Sequence, residues 1–256
     1  MKNTVLFSLI LLMAFSLWAC QTPESGPVET LAAETTTMEI ETTEPAVTNI
    51  PSPLQLPDVA VEDVITYFAE VCLAAEFVNS GDPSRLQRWE VPILYALEGT
   101  PTGEDLAVLE GFGEWLNTVE GFPGIRECDG EEYANLRIHF CTHEELLAIM
   151  GNQFYGMDGA VTFWYEEDAI YDAVICIRTD IDQALRNSVI LEELYNGLGP
   201  IQDTALRPGS IIYAEFSQPQ ALTEIDELIL RLLYHPKLRC GMTREECGAV
   251  IRELYQ

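Results

Sequence analysis

The chain has 256 residues and a formal net charge of −29, with 42 acidic against 13 basic side chains. A polyanion of this kind does not bind nucleic acid through the phosphate backbone and does not adhere to anionic lipid head groups. A cation, or a basic protein or peptide, suits it better as a partner, and solubility at a cell surface would by itself explain the charge.

The first twenty residues have the pattern of a bacterial export signal. Lys2 precedes an apolar run from Val5 to Ala19, which is shorter than the roughly 20 residues that a membrane-spanning helix requires. The run ends in a small residue followed by Cys20, which resembles a lipoprotein box. We therefore predict a lipoprotein signal peptide over residues 1–20, a lipid anchor on Cys20 and a position in the cell envelope, at the extracytoplasmic face of a membrane. Ordinary secretion, with Cys20 removed or unused, is the alternative.

A linker follows over residues 21–57. It contains six glutamates, many threonines and several prolines, no lysine or arginine, and no hydrophobic periodicity. Such a segment cannot bury enough apolar surface to offset the entropy lost on ordering. We predict a disordered tether that lifts one folded domain, residues 58–256, away from the membrane.

Six cysteines remain after Cys20. An even count in an exported domain favours three disulfides. Pairs that are close in sequence around a predicted helix start or strand are favoured, and the last pair follows by elimination. The expected disulfides are Cys240–Cys247, Cys128–Cys141 and Cys72–Cys176.

Helical periodicity and capping residues predict the helices of the folded part. Four of the predicted helices start at a threonine that stands three residues before an aspartate or glutamate, the spacing of a capping box. The expected helices are 61–77, one from Thr102 to the Gly121 break, one from Thr142 to Gly151, a central helix 181–198, one from Thr223 to Tyr234 and one from Thr243 onward.

Alternating apolar and polar side chains predict the strands. The expected strands are 86–97, 135–140, 160–165 and 169–177, with Glu166-Glu167-Asp168 as a hairpin tip between the last two. Together with the helices, this order predicts an α+β domain with a small mixed sheet, a central helix and C-terminal helices.

The central helix ends in a sequence with the frame of a zinc-peptidase helix. In the signature His-Glu-x-x-His-x-x-Gly-x-x-His/Asp, two ligands one turn apart share a helix face and a glutamate beside the first serves as general base. A glycine then turns the chain toward a third ligand. On that frame Glu193 takes the general-base position, Gly199 the turn and Asp203 the third-ligand position. The two histidine positions hold Glu192 and Asn196.

A second turn follows at Ser210-Ile211-Ile212-Tyr213. Many zincins place a tight turn here, with a methionine beneath the metal, and Ile212 stands at the methionine position. We interpret Ile212 as an ordinary core side chain in a site without a metal.

The chain resembles an uncharacterised bacterial family of zincin-like (metzincin- or matrixin-like) envelope lipoproteins with a degenerate form of this motif. The likeness covers roughly residues 60 to 256, and members of that family commonly lack both histidines. The resemblance implies a zincin-like metalloprotease fold and supplies no activity. The matching residues are Arg88-Trp89, Asn135-Leu136-Arg137-Ile138, Glu193-Leu194, Gly197-Leu198-Gly199, Asp203, Ser210-Ile211, Leu222-Thr223, Asp226, Leu230-Arg231-Leu232-Leu233-Tyr234, Pro236 and Gly241-Met242-Thr243.

The candidate metal ligands are Glu192, Asn196 and Asp203, which offer two carboxylates and an amide. Zinc prefers histidine and cysteine, whereas calcium takes roughly six to eight oxygen ligands, which these three residues do not reach alone. The chain's histidines stand on other elements, at His139, His143 and His235. We expect no cofactor, with Zn or Ca as the alternative.

Two functions remain open on these residues. The first is a non-catalytic, metalloprotease-like pseudoenzyme that acts in binding or scaffolding and takes an extended peptide or protein ligand by strand addition to a sheet edge. In it Glu192, Glu193, Asn196 and Asp203 form a hydrogen-bonded polar cluster. The alternative is an atypical metal-dependent peptidase with Glu193 as general base.

Overall fold

Residues 54–73, 85–130, 132–199, 202–215 and 218–255 are described by the computed structural model, and all of them fall within the unit Ile50–Gln256. The predicted signal peptide, its Cys20 and nearly all of the predicted linker lie outside the described residues. Within the described part, no helix is both long enough and apolar enough to cross a membrane.

The apolar runs between residues 88 and 178 form one six-stranded sheet. The strands are β1 Arg88–Trp89, β2 Ile93–Gly99, β3 Ile125–Glu127, β4 Leu136–Cys141, β5 Gly159–Glu166 and β6 Ala169–Arg178. Their order is β3, β2, β4, β6, β5, and β1 pairs with the first residues of β6. All pairs are parallel except that of β5 with β6, because a two-residue turn with positive φ at Glu167 and Asp168 joins these strands as a hairpin.

Six α-helices surround the sheet: α1 Val61–Leu73, α2 Gly103–Leu116, α3 His143–Met150, α4 Gln183–Asn196, α5 Glu224–Leu233 and α6 Arg244–Leu254. The four predicted threonine caps are present as capping boxes at the starts of α2, α3, α5 and α6. At α2, α3 and α6 the threonine hydroxyl and the acidic side chain each accept from a backbone N–H that a helix start leaves free, and at α5 the Asp226 carboxylate accepts from the Thr223 N–H.

The two faces of the sheet carry cores of different size. The main core packs the inward side chains of β4 and β6, such as Ile138 and Ile175, against α4 and the C-terminal helices. The opposite face carries a small core of Cys141, Val174 and Cys176 beneath Leu146 of α3. Since β6 is covered on both faces, its residues 173–177 are apolar throughout, whereas β4 alternates and carries Arg137 and His139 on the face of the small core.

The α+β prediction is confirmed: a mixed, mostly parallel sheet is combined with six helices. The expected strand 86–97 is wrong in detail. The segment forms two strands, β1 before Val91-Pro92 and β2 after it, and β1 pairs with β6 whereas β2 pairs with β4. Strand β3 was not predicted. It has three residues and only Ile125 is buried, so it leaves no alternation to detect.

The three expected disulfides are wrong, since all six cysteines among the described residues are free thiols. Cys128 follows β3 and Cys141 ends β4, and strand β2 lies between these two strands. Strands are spaced by about 4.8 Å, so Cys128 and Cys141 stand about 10 Å apart across the sheet alone, whereas a disulfide needs Cα atoms within about 7 Å.

The other two expected pairs, Cys72–Cys176 and Cys240–Cys247, fail for similar reasons. Cys72 lies in the main core and Cys176 in the small core, on opposite faces of the sheet. The Cys240 thiol faces the carbonyl oxygen of Arg88 at 3.6 Å, whereas Cys247 is buried on α6, which packs against α1.

A buried carboxylate joins the C-terminal segments. The Asp226 side chain is fully buried and its Oδ1 accepts from the Ser210 hydroxyl at 2.6 Å. Its Oδ2 accepts from the backbone N–H of Thr223 at 2.8 Å and from that residue's hydroxyl at 2.6 Å. Tyr67 of α1 donates to the Ser210 oxygen at 2.9 Å, so one carboxylate connects α5, the 210–212 turn and α1.

Replacing this carboxylate should therefore destabilise the domain strongly. We expect Asp226→Ala to lower the free energy of unfolding by about 3 kcal/mol, because buried donors on Ser210 and Thr223 lose their acceptor. Glu227→Ala is the matched control, since the half-buried Glu227–Arg231 pair on the same helix is worth less than about 0.5 kcal/mol. Urea denaturation measures both values. Equal losses of unfolding free energy in the two variants would contradict the conclusion that the Asp226 carboxylate connects α5, the 210–212 turn and α1.

Candidate functional site

The start of α4 is fixed by polar contacts with α2. Asp182 caps the helix by accepting from the N–H of Leu185 at 3.1 Å. The fully buried Asp105 of α2 lies 3.0 Å from the Arg186 Nε and accepts from the Gln183 side chain at 2.6 Å. Because a buried charge is tolerated only when it is paired, these contacts hold the first turn of α4 in one position against α2.

The end of α4 is fixed by two large side chains from distant parts of the sequence. The indole N–H of Trp89 donates to the Gly197 carbonyl at 2.8 Å, and the Tyr234 hydroxyl donates to the Leu198 carbonyl at 2.7 Å. Both donors are buried. They satisfy carbonyl groups that a helix end leaves without intrahelical partners.

Gly199 makes the turn that follows. Its φ is +131°, and a Cβ on this residue would lie 2.6 Å from the Gln87 carbonyl oxygen. Only glycine avoids both the strained backbone and the clash. Further along the chain, Thr204 is held by two hydrogen bonds of 3.0 Å, from its own N–H to the Ile212 carbonyl and from the Ala214 N–H to its carbonyl.

Four acidic side chains near the start of β5 act on one another electrostatically: the charges of Asp203 and Asp158 reach Glu192, and those of Glu192 and Asp203 reach Glu193. Glu192 and Glu193 belong to α4, Asp203 follows the Gly199 turn, and Asp158 directly precedes β5. The Glu193 side chain is 7% exposed and lies against Gly159, where a Cβ would come within 2.6 Å of the Glu193 Oε1 atom. The absence of a side chain at Gly159 therefore leaves the space that Glu193 occupies.

The two glutamates in this pocket have raised pKa values. Burial raises the pKa of Glu192 to about 7, and the negative charges of Asp203 and then Asp158 add to the effect. Burial also raises the pKa of Glu193 well above its usual range, with further contributions from Glu192 and Asp203. Burial and like charge both disfavour the ionised form of these two glutamates.

The remaining predicted site residues lie around this pocket. Asn196 stands one turn after Glu192, and its Oδ1 atom is buried without a hydrogen-bond partner. Ile212 is buried in the main core, as expected for an ordinary apolar side chain. Asp203 itself is exposed, but its charge reaches both glutamates.

The histidines are elsewhere. His139 Nδ1 on β4 lies 3.2 Å from the Glu98 carboxylate, and His143 Nε2 accepts from the Gly156 N–H at 3.2 Å. His235 follows α5. Across the described ranges, no group of three or more His, Cys, Asp or Glu side chains is arranged to hold a metal ion.

Sequence reasoning missed Asp158, Gly159 and Arg178. Arg178 at the end of β6 binds Asp158 at 2.8 Å and Asp180 at 2.9 Å, and so holds Asp158 at the pocket. A glycine that opens a strand was the one available signal, because glycine is costly there unless another group approaches closely.

A family model described as a protein of unknown function (DUF2927) matches residues 61–253. The chain belongs to the DUF2927 family. The match includes all six strands and the whole of the pocket just described. No curated protein matches the chain. In this DUF2927 domain, the site is therefore interpreted from its own geometry.

The turn after α4 gives a direct test of the packing at the helix end. We expect Gly199→Ala to destabilise the DUF2927 domain by about 2–4 kcal/mol, because it combines a forced positive φ with a clash against the Gln87 carbonyl. Gly209→Ala is the control, since Gly209 has φ +104° with nothing near its Cβ position, and should cost only about 1 kcal/mol. Equal losses of unfolding free energy in the two variants, measured by urea denaturation, would show that the close approach of residue 199 to the Gln87 carbonyl is not important.

The raised pKa of Glu192 predicts a pH-dependent stability. Between about pH 4.5 and 7 the folded state keeps a proton on Glu192 that the unfolded state releases, so this contribution is fully present below pH 4.5 and is lost as the pH rises through 7. We expect unfolding free energy to fall by roughly 1–3 kcal/mol over this range because of this group.

Glu192→Gln should flatten that part of the profile, which chemical denaturation at a series of pH values measures. Glu246→Gln is the control, because the Glu246 carboxylate is stabilised in its charged form by the Thr243 N–H and hydroxyl, and its pKa is lowered. If Glu192→Gln leaves the dependence of unfolding free energy on pH unchanged, the burial of Glu192 near Asp203 and Asp158 is contradicted.

Proposed function

We propose that residues 58–256 form a degenerate zincin-like domain that binds or scaffolds a peptide or protein ligand without catalysis. In this proposal a lipid on Cys20 anchors the chain at the extracytoplasmic face of the cell envelope. The observation that carries the proposal is the burial of Glu193. The residue at the general-base position is 7% exposed, and burial raises its pKa well above the usual range. Burial therefore disfavours the ionised form that a general base needs in order to accept a proton from water.

The arrangement of the elements supports the zincin-like part of the proposal. Helix α4 follows the last parallel strand, β6, and its end is broken at Gly199, as the frame of the motif requires. The chain then brings Asp203 back near Glu192, as a third-ligand position would be brought back. The antiparallel edge strand β5 lies over the same helix.

The donor set supports a non-catalytic role. Glu192, Asn196 and Asp203 supply oxygen atoms only, and the described histidines and cysteines are held in other places. Zinc sites in proteins depend on nitrogen and sulfur donors, so these residues do not fit a zinc ion.

The edge strand β5 supports peptide binding by strand addition. Its eight residues pair with β6 on one side only among the described strands. Residues 160–164 carry no charge and no proline, although exposed sheet edges are usually blocked by such residues. Phe163 packs against the main core and Tyr165 is half exposed beside it, so the inner side of this edge offers apolar contacts next to free backbone groups.

The test of the proposal is a search for metal and for hydrolysis in the purified protein. We expect no stoichiometric zinc by elemental analysis, no cleavage of a fluorogenic peptide library, and an unchanged Tm in the presence of a chelator. Glu193→Gln is the control for background cleavage and should behave like the parent protein. Zinc that is lost on Asp203→Ala, together with cleavage abolished by Glu193→Gln, would instead establish the atypical metal-dependent peptidase.

A further inference from the structure

A cavity of about 230 Å³ lies between α2 and strands β2 and β3, at the edge of the sheet opposite β5. We infer that this α2–β3 cavity binds a small organic cation in which a short arm joins one aromatic ring to an amine. The inference does not depend on the proposed peptide-binding function, because β5 takes no part in it.

The cavity is kept open by the way α2 meets β3. The side chain of Asn117, at the end of α2, donates to the Ile125 carbonyl and accepts from the Ile125 N–H, both at 2.9 Å. One turn earlier the same helix face carries Gly113, where a Cβ would have the Ile125 Cγ2 atom as its nearest neighbour, at 3.7 Å. The helix is therefore held at a fixed distance from the strand, and the side chain that would occupy part of the space is missing.

Glycine is a poor choice for helix formation, since it loses more backbone entropy than alanine does. A Cβ at Gly113 would meet its neighbour at an ordinary contact distance, so sterics do not exclude a larger residue there. The glycine instead leaves room beside the wall of the cavity.

The wall of the cavity is apolar. Its buried lining side chains come from α2, β3, β4 and α4, and they are Leu109, Phe112, Ile125, Ile138 and Leu194. A dry apolar cavity of roughly 150 Å³ holds one benzene molecule. A volume of about 230 Å³ therefore suits one ring with a short arm. Drug-sized ligands need pockets of about 300 Å³ or more.

The mouth of the cavity is acidic. Glu110 and Glu114 of α2 and Glu127 of β3 are exposed lining residues, and none of the ion pairs among the described residues includes them. The basic lining residue Arg126 is already bound through two nitrogens to the Glu132 carboxylate, at 2.8 Å each. An anionic ligand would be repelled at this mouth, whereas an amine would be attracted.

Tyr95 lies where the apolar wall meets the acidic mouth. Its side chain is half-buried and lines the cavity, and it stands beside Glu127 in the pairing of β2 with β3. Burial raises the pKa of the Tyr95 hydroxyl, and the charges of Glu127 and Glu110 add to the rise, so both carboxylates are near this ring. A cation held by these carboxylates can also lie over the tyrosine face, which attracts positive charge.

The experiment titrates full-length protein at pH 7 with 2-phenylethylamine by isothermal titration calorimetry. The neutral 2-phenylethanol has the same ring without the charge, and ethylamine has the charge without the ring. We expect 2-phenylethylamine to bind at least about tenfold more tightly than either of them. No binding of 2-phenylethylamine, or equal affinity for 2-phenylethanol, would overturn the inference.

A pair of glycine variants locates the binding. Gly113→Leu should weaken 2-phenylethylamine binding at least about tenfold, because its side chain enters the cavity. Gly111→Leu is the matched control on the same helix, since Gly111 is exposed with nothing within 4 Å of its Cβ position, and should leave the affinity unchanged. Undiminished binding in Gly113→Leu, or an equal loss in both variants, would contradict the site.

A second variant tests the charge and leaves the apolar wall intact. Replacing both Glu110 and Glu127 with glutamine should lower the affinity for 2-phenylethylamine to that for 2-phenylethanol, and leave the latter unchanged. Glu245→Gln removes an exposed charge on α6, away from the cavity, and should have no effect on either ligand. If the double variant keeps the full preference for the amine, the acidic mouth does not select the ligand and the inference fails.

Discussion

Helix α4 is held at both ends by hydrogen bonds from residues that are far away in the sequence, and the site depends on this. Asp105 and Arg186 fix its first turn, while Trp89 and Tyr234 fix the carbonyl groups at its last. Between these ends its apolar stripe of Ile190, Leu194 and Leu198 is buried against the sheet. A helix fixed in this way can carry the buried Glu193 without moving to hydrate it.

The C-terminal segments are joined by polar groups as well as by apolar packing. Asp226 accepts hydrogen bonds from the 210 turn and from its own helix cap, and Arg88 donates to the Leu233 carbonyl at 2.7 Å. Such fully satisfied buried groups select one arrangement of the segments, because any other arrangement leaves them unpaired. The position of Asp203 near the glutamates follows from this selection, since its segment pairs with residues 212–214.

Local features of the fold were predictable from the sequence, and features that depend on distant contacts were not. Thr102, Thr142 and Thr243 predicted helix starts correctly because a cap involves residues three apart. The positive φ of Gly199 agrees with the turn expected at this glycine. By contrast, Asp158 reaches the pocket through strand pairing and the Arg178 contact, and no local pattern contains that information. The disulfide predictions failed for the same reason, because sequence distance does not reveal which face of the sheet a cysteine occupies.

The unequal cores on the two faces of the sheet have a kinetic consequence. Among the described residues, the eight-residue helix α3 and Phe154 just after it cover the small core that contains Cys141 and Cys176, whereas Cys72 and Cys247 lie in the main core. Detachment of one short helix is a local opening of low free energy, while exposure of the main core requires global unfolding. We therefore expect the buried thiols to differ in reactivity: Cys141 and Cys176 react with an alkylating reagent through local opening of α3, whereas Cys72 and Cys247 react more slowly because they lie in the main core.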